Sequence, residues 1–188
     1  MTATPFHAAP NTLPRAAFDA DALLRAALRG ERACGQFPFR IDREGGWHYR
    51  GSPIARLPLV KLFATVLRRA EDGSYWLITP GEQGRIEVDD VPFTAVELQS
   101  EGEGAGRQLR FRTNLDEWVP LDAGHPLRLA AHGDTAVPYL LVRDRLKARI
   151  ARPVYYQLVE LAEPHPEHAD VIGVWSGGRF WALGSGDD

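Results

Sequence analysis

With 188 residues, 44% hydrophobic and 25% charged, the chain has the size and composition of one globular domain or two small ones. Its net charge of −3, from 22 Lys and Arg against 25 Asp and Glu, argues against a dedicated binder of long nucleic acid but leaves room for a small anion held by a few arginines. The lone Cys34 excludes an internal disulfide and a cysteine zinc cluster, and no apolar run approaches the roughly 20 residues of a membrane helix.

Residues 1–34 read as a leader followed by a helix. Pro5, Pro10 and Pro14 keep the start loose, and Met1–Phe18 lacks the basic and apolar regions of a signal peptide, so a cytoplasmic protein is expected. Asp19 can cap a helix through Arg29, with Leu23, Leu24, Ala27 and Leu28 on one stripe and Gly30 as its stop.

Residues 35–92 read as an N-terminal α+β domain. Trp47-His48-Tyr49-Arg50 alternates as a strand does, and a helix begins at Leu57-Pro58 with Leu59, Val60, Leu62, Phe63, Val66 and Leu67 on its apolar face. Asp72-Gly73 turns the chain into a strand over Tyr75–Thr79, Arg85–Val88 alternates again, and Asp89-Asp90-Val91-Pro92 breaks the pattern.

Residues 93–188 read as a C-terminal β-rich domain with one helix. Strands are expected over Phe93–Gln99, Gln108–Thr113, Glu117–Leu121 and Leu127–Ala131, and Val137–Ile150 is one long strand or two short ones. Pro153 opens a helix through Leu161, and Val171–Trp175 and Arg179–Leu183 close the chain as a hairpin. Ile54-Ala55-Arg56 recurs as Ile150-Ala151-Arg152, an offset of 96 (150 − 54), each time ahead of a proline-started helix. Two related strand–helix–strand domains are therefore expected.

Candidate chemistry rests on arginine and aromatic side chains. Arg143, Arg145, Lys147 and Arg149 alternate with apolar neighbours, which on one strand would put all four cations on one face. Arg56 and Arg152 each stand at a strand-to-helix junction, where helix amides also favour anions. Trp47 and Tyr49 share a strand face that could stack a ring, and Tyr139 is counted with them. His165-Pro166-Glu167-His168 lacks helical spacing for a metal, and neither a nucleophile elbow nor a phosphate loop is present.

Taken in order, Trp47-x-Tyr49-x-Gly51-Ser52-Pro53-Ile54-x-Arg56, Leu62-Phe63, Tyr75-Trp76-Leu77-x-Thr79-Pro80-x-Glu82 and Ile86-x-Val88-x-Asp90-x-Pro92-Phe93 resemble an uncharacterised proteobacterial domain-of-unknown-function family, DUF1285. Phe111-x-Thr113-Asn114, His125-Pro126-Leu127, Pro138-Tyr139-x-x-Val142-Arg143 and Leu146-x-Ala148-Arg149 extend the resemblance over roughly residues 35–165. It implies a duplicated two-domain α+β protein whose C-terminal domain is superficially pleckstrin-homology-like. It further implies a nucleotide-like or nucleic-acid-based ligand between the domains and a role in signal transduction.

The expectation is thus an α+β protein of two small, structurally related domains rich in antiparallel sheet. It would act as a non-enzymatic sensor of a small anionic or nucleotide-like ligand, with no metal, cofactor or membrane span. Arg56, Arg149 and Arg152 would hold the anion, and Trp47, Tyr49 and Tyr139 would supply ring contacts. The alternatives are a protein-docking module built on an aromatic interdomain surface, and an enzyme using His125 with Glu82.

Overall fold

Residues 19–30, 35–132 and 135–185 are described by the computed structural model, so the expected leader and Cys34 lie outside it. Helix α1 (Ala20–Leu28) starts where the Asp19 carboxylate accepts the Ala22 N–H at 2.8 Å. Gly30, at φ +73°, turns the chain out of the helix.

The first sheet contains β1 (Gly35–Ile41), β2 (Trp47–Tyr49) and β3 (Ser52–Pro53), then, after helix α2 (Leu57–Thr65), β4 (Leu67–Arg69), β5 (Tyr75–Ile78) and β6 (Gln83–Val88). Its order is β3-β2-β1-β6-β5-β4, with β1 and β6 parallel at the centre. All four residues of β5 are buried because the strand is covered on both faces. Trp76 and Ile78 pack under Leu24 and Ala27 of α1, whereas Tyr75 and Leu77 join the main core.

Helix α2 is shorter than its apolar pattern suggested. Val66 caps it, and Leu67 continues as strand, pairing with Leu77. Arg68 secures the break by donating from Nη1 to the Thr65 and Leu67 carbonyls at 3.1 and 2.8 Å.

The second sheet contains β7 (Phe93–Glu101), β8 (Gln108–Thr113), β9 (Trp118–Pro120), β10 (Leu127–His132), β11 (Thr135–Arg143) and β12 (Leu146–Ile150). Its order is β10-β11-β12-β7-β8-β9, with β12 and β7 parallel. Helix α3 (Arg152–Glu160) follows, and β13 (Glu163–Pro164), β14 (Val171–Ser176) and β15 (Arg179–Ser185) make a third sheet. The fully buried Ser176 couples this sheet to the second. Its hydroxyl accepts from Leu109 N–H at 2.9 Å and donates to the Leu121 carbonyl at 2.7 Å.

Numbered from its own first strand, each six-stranded sheet runs 3-2-1-6-5-4 with strands 1 and 6 parallel. The helices do not occupy matching places: α2 lies between the third and fourth strands, while α3 follows the sixth. The 96-residue offset therefore pairs Ile54 and Ile150 at unlike positions in the two topologies.

The expected basic stripe is also broken. Val137–Ile150 is a hairpin, with Arg143 ending β11, Asp144 at φ +48° in the turn and Arg145 beside it. Only Lys147 and Arg149 remain on one face of one strand, alternating with buried Leu146, Ala148 and Ile150.

One hydrophobic core runs through both sheets and under α2 and α3, taking in Trp47, Val60, Phe93, Phe111, Leu140, Leu158 and Trp181. Polar contacts cross the boundary on two sides. On one, Lys61 pairs with Asp116 at 2.8 Å, and Arg143 donates to the Ala64 carbonyl at 3.0 Å. On the other, the β1–β2 turn is held by Asn114, whose Nδ2 donates to Gly45 O at 3.0 Å, and by Thr94, whose hydroxyl donates to Glu44 O at 2.9 Å. The architecture is a two-domain, sheet-rich α+β one with mixed sheets.

Candidate functional site

Where β4 runs into its turn, Arg68, Arg69, Ala70, Glu71 and Asp72 form the floor of a cavity of about 650 Å³. Leu24, Arg25 and Leu28 of α1 make one wall, and Asp144 and Arg145, from the β11–β12 turn, make the other. The cavity thus lies between the two domains and draws on three chain segments. A second hollow of about 410 Å³ shares Arg68 and Asp144 with it and continues along the boundary past Lys61, Thr65 and Arg143.

Four arginines and three acids line the larger cavity, and the acids are largely committed. Glu71 pairs with Arg145 at 2.7 Å, and Asp72 accepts from the backbone and hydroxyl of Ser74, which holds its carboxyl below the usual range. Arg69 stacks over the Tyr75 ring at 5.5 Å, and its Nε–H is buried with no hydrogen-bond partner among the described residues. Such a cavity offers guanidinium forks to an anion and leucine to an apolar group.

A smaller hollow, about 80 Å³, lies at the connector between the domains. There the Tyr139 hydroxyl donates to Asp90, 2.9 and 3.0 Å from its two carboxylate oxygens, and Arg149 approaches the same carboxylate at 3.6 Å. Burial, reinforced by the bond to Asp90, pushes the Tyr139 hydroxyl up to about 12. Arg43, from the β1–β2 turn, completes the lining together with Asp89, which Arg40 holds bidentately.

The expected site residues fall into separate places. Tyr139 and Arg149 come together at the connector. Trp47 is 3% exposed and stacks on Phe63 at 6.1 Å, so its ring belongs to the core and offers no face to a ligand. Tyr49, on the same strand face, is 41% exposed, but its ring lies against Phe39 at 4.9 Å with Arg50 at 5.3 Å. Arg56 and Arg152 are exposed at the starts of α2 and α3 and line neither of the boundary cavities nor the connector hollow. Arg143 and Arg145 pair with separate acids, Glu117 and Glu71. His125 pairs with Asp122 at 3.0 Å, while the exposed Glu82 closes the Thr79–Glu82 turn of the other domain.

Arg25, Arg68 and Arg69 escaped the sequence reading as site residues. Arg69 sits beside Arg68 just before a turn, a local signal that fits solvent exposure equally well. Nothing local marks Arg25.

Fold and cavity together define a two-domain α+β protein whose domains meet around an arginine-lined groove. The chain belongs to the DUF1285 family. Residues 31–91 match the description "Domain of unknown function (DUF1285), N-terminal domain", and residues 92–183 match "Protein of unknown function (DUF1285), C-terminal domain". A crystal structure of a DUF1285 family protein from Silicibacter pomeroyi DSS-3 is similar at 36% identity and a TM-score of 0.75, over 81% of this chain and 83% of that one. A second, from Shewanella baltica OS155, is similar at 27% identity and a TM-score of 0.52, over 65% of this chain and 91% of that one. No curated protein matches the chain. No helix among the described residues is long and apolar enough to cross a membrane.

Proposed function

We propose that this chain is a non-enzymatic binding protein that holds a small anionic, nucleotide-sized ligand in its interdomain groove as part of a signalling response. The observation that carries the reading is the cavity of about 650 Å³ to which α1, β4 and the β11–β12 turn each contribute arginine. Its volume falls in the range of small-molecule sites, roughly 300–1,000 Å³. The lining combines arginine, leucine and three carboxylates, of which Glu71 and Asp72 are tied to Arg145 and Ser74. Among the described residues it holds no serine, threonine, cysteine or lysine nucleophile for a base to activate, which favours binding over catalysis. The cytoplasmic setting expected from the sequence is kept within this proposal. So is a common origin of the two halves, supported by their shared strand order rather than by the 96-residue offset, with the C-terminal half pleckstrin-homology-like.

Calorimetry with adenosine and guanosine nucleotides and cyclic dinucleotides tests the reading. Binding of at least one is expected, weakened about tenfold by Arg69→Ala, because one charge-assisted hydrogen bond is worth roughly 1.5–3 kcal/mol and 1.4 kcal/mol is a decade. A panel without a binder, or binding indifferent to Arg69→Ala, would overturn it.

A further inference from the structure

Of the three segments that line the groove, α1 is the one that belongs to neither sheet. It is held by Leu24 and Ala27, packed on Ala70, Trp76 and Ile78 in an apolar cluster separate from the main core. The family match begins at residue 31, downstream of this helix. Nine residues are too few to stay helical alone, since isolated helices shorter than about 12–15 residues are marginal in water. The order of α1 therefore depends on its docking.

Docking changes the charge of the groove. It brings Arg25 to a lining in which Arg68, Arg69 and Arg145 are balanced by Glu71, Asp72 and Asp144, and so leaves one cation in excess. The ion pair of Arg25 with Asp19 at 3.9 Å, between side chains 60% and 63% exposed, contributes little. Leu28, 46% exposed, stands beside it in the lining with Leu24. An anion in the groove would meet that excess cation, and the two leucines would cover an apolar group attached to it.

We propose that α1 is an anion-gated cover of the groove: it closes on an organic anion with an apolar or aromatic body, Arg25 meeting the charge and Leu24 and Leu28 the body. This rests on the groove being the ligand site. Because the ligand gains contacts only when α1 is docked, binding and docking reinforce each other. The ligand class follows from the two kinds of lining. On α1 a bare inorganic anion engages Arg25 without the leucines, and so gates the helix weakly.

Hydrogen exchange of residues 20–28 in the full chain tests this, with ADP as the probe and pyrophosphate as the control without an apolar body. ADP should slow exchange in α1 about tenfold or more, and pyrophosphate should slow it clearly less. Arg25→Glu, at an exposed position, should leave the melting temperature unchanged and abolish the slowing. Ala27→Asp, which undocks the helix, should weaken ADP binding about tenfold. If ADP binds with Arg69-dependent affinity while α1 exchange stays the same, the cover is overturned and the groove reading stands. Equal slowing by pyrophosphate overturns the assignment of the apolar body. ADP binding that Arg69→Ala does not alter places the probe elsewhere and overturns both.

Discussion

The Tyr139 hydroxyl lies 2.9 and 3.0 Å from the two carboxylate oxygens of Asp90 and so fastens the connector between the domains to the second sheet. Val91, the next residue, is buried against Val137 and Tyr139, so an apolar contact and a charge-assisted bond act at one point. Tyr139→Phe keeps the ring and leaves the Asp90 carboxylate with Arg149 at 3.6 Å as its remaining partner. A loss of about 1–3 kcal/mol is expected in urea unfolding at neutral pH. The raised Tyr139 value adds an alkaline signature: a group favoured neutral in the fold contributes fully below its unfolded value near 10, and that contribution disappears as pH rises through about 12. Absorbance titration should show one fewer late-ionising phenol in the variant than in the native chain, since Tyr75, which burial also raises, stays in both.

Gly45 occupies the β1–β2 turn where the domains clasp. It lies at φ +82°, and a Cβ there would come within 2.6 Å of Asn114 Nδ2 and 3.1 Å of the Thr94 hydroxyl. Gly45→Ala therefore strains the backbone and pushes away the side chain that bonds Gly45 O. A destabilisation of about 1–3 kcal/mol is expected by the same unfolding measurement. Asn114→Ala removes that bond and the one its Oδ1 accepts from Thr94 N–H at 3.1 Å, but adds no backbone strain.

Asp42 shapes the same turn. Burial alone would raise its carboxyl, but bonds from His48 at 2.7 Å and from the Gly46 and Glu44 N–H groups outweigh it and hold the value down. A carboxylate lowered in the fold contributes stability above its unfolded value near 3.9 and loses it as pH falls through the folded one. Melting temperature should therefore drop below about pH 4. Asp42→Asn should be less stable at neutral pH and show a shallower acid limb. An acid limb of unchanged steepness in the variant would exclude Asp42 as its source.

Much of this architecture was legible in the chain, because turn residues and apolar alternation are local signals. Asp19, Gly30 and the proline-started helices are visible that way. The end of α2 was not. Leu67 is buried as strand, as it would be on a helix face, so hydrophobic period alone cannot choose; pairing with Leu77 does. The basic stripe failed because Asp144 takes a left-handed conformation that alternation does not reveal. The groove was invisible for a third reason. Arg25 and Arg145 are 120 positions apart (145 − 25) and meet only through packing.

Ser176 tests how the third sheet is tied on. Its hydroxyl satisfies Leu109 N–H and Leu121 O inside the core, and its carbonyl accepts from Trp181 Nε1 at 3.1 Å. Ser176→Ala leaves the first two backbone groups unpaired where water does not reach. A loss of about 1–3 kcal/mol is expected in thermal unfolding. A variant within about 0.5 kcal/mol of the parent, the range of ordinary surface changes, would show that water replaces the hydroxyl.

The arginines separate two placements of the ligand. Arg56 and Arg152, the junction pair suggested by the repeated tripeptide, are exposed and line neither boundary cavity nor the connector hollow. Arg69 and Arg145 face the groove from opposite domains. With a nucleotide binder in hand, Arg69→Ala and Arg145→Ala should each weaken affinity about tenfold, while Arg56→Ala and Arg152→Ala stay within about twofold, since 1.4 kcal/mol is a decade. Additivity adds a second readout. Two arginines on one phosphate group are coupled, so the Arg69→Ala, Arg145→Ala double variant should lose less than the sum of the single losses. Arg145 also pairs with the exposed Glu71 at 2.7 Å, a surface contact whose removal should barely move the melting temperature. A marked fall in stability for Arg145→Ala with unchanged affinity would assign that arginine to structure. The reverse pattern, with Arg56→Ala losing affinity and Arg69→Ala keeping it, would move the ligand to the helix junction.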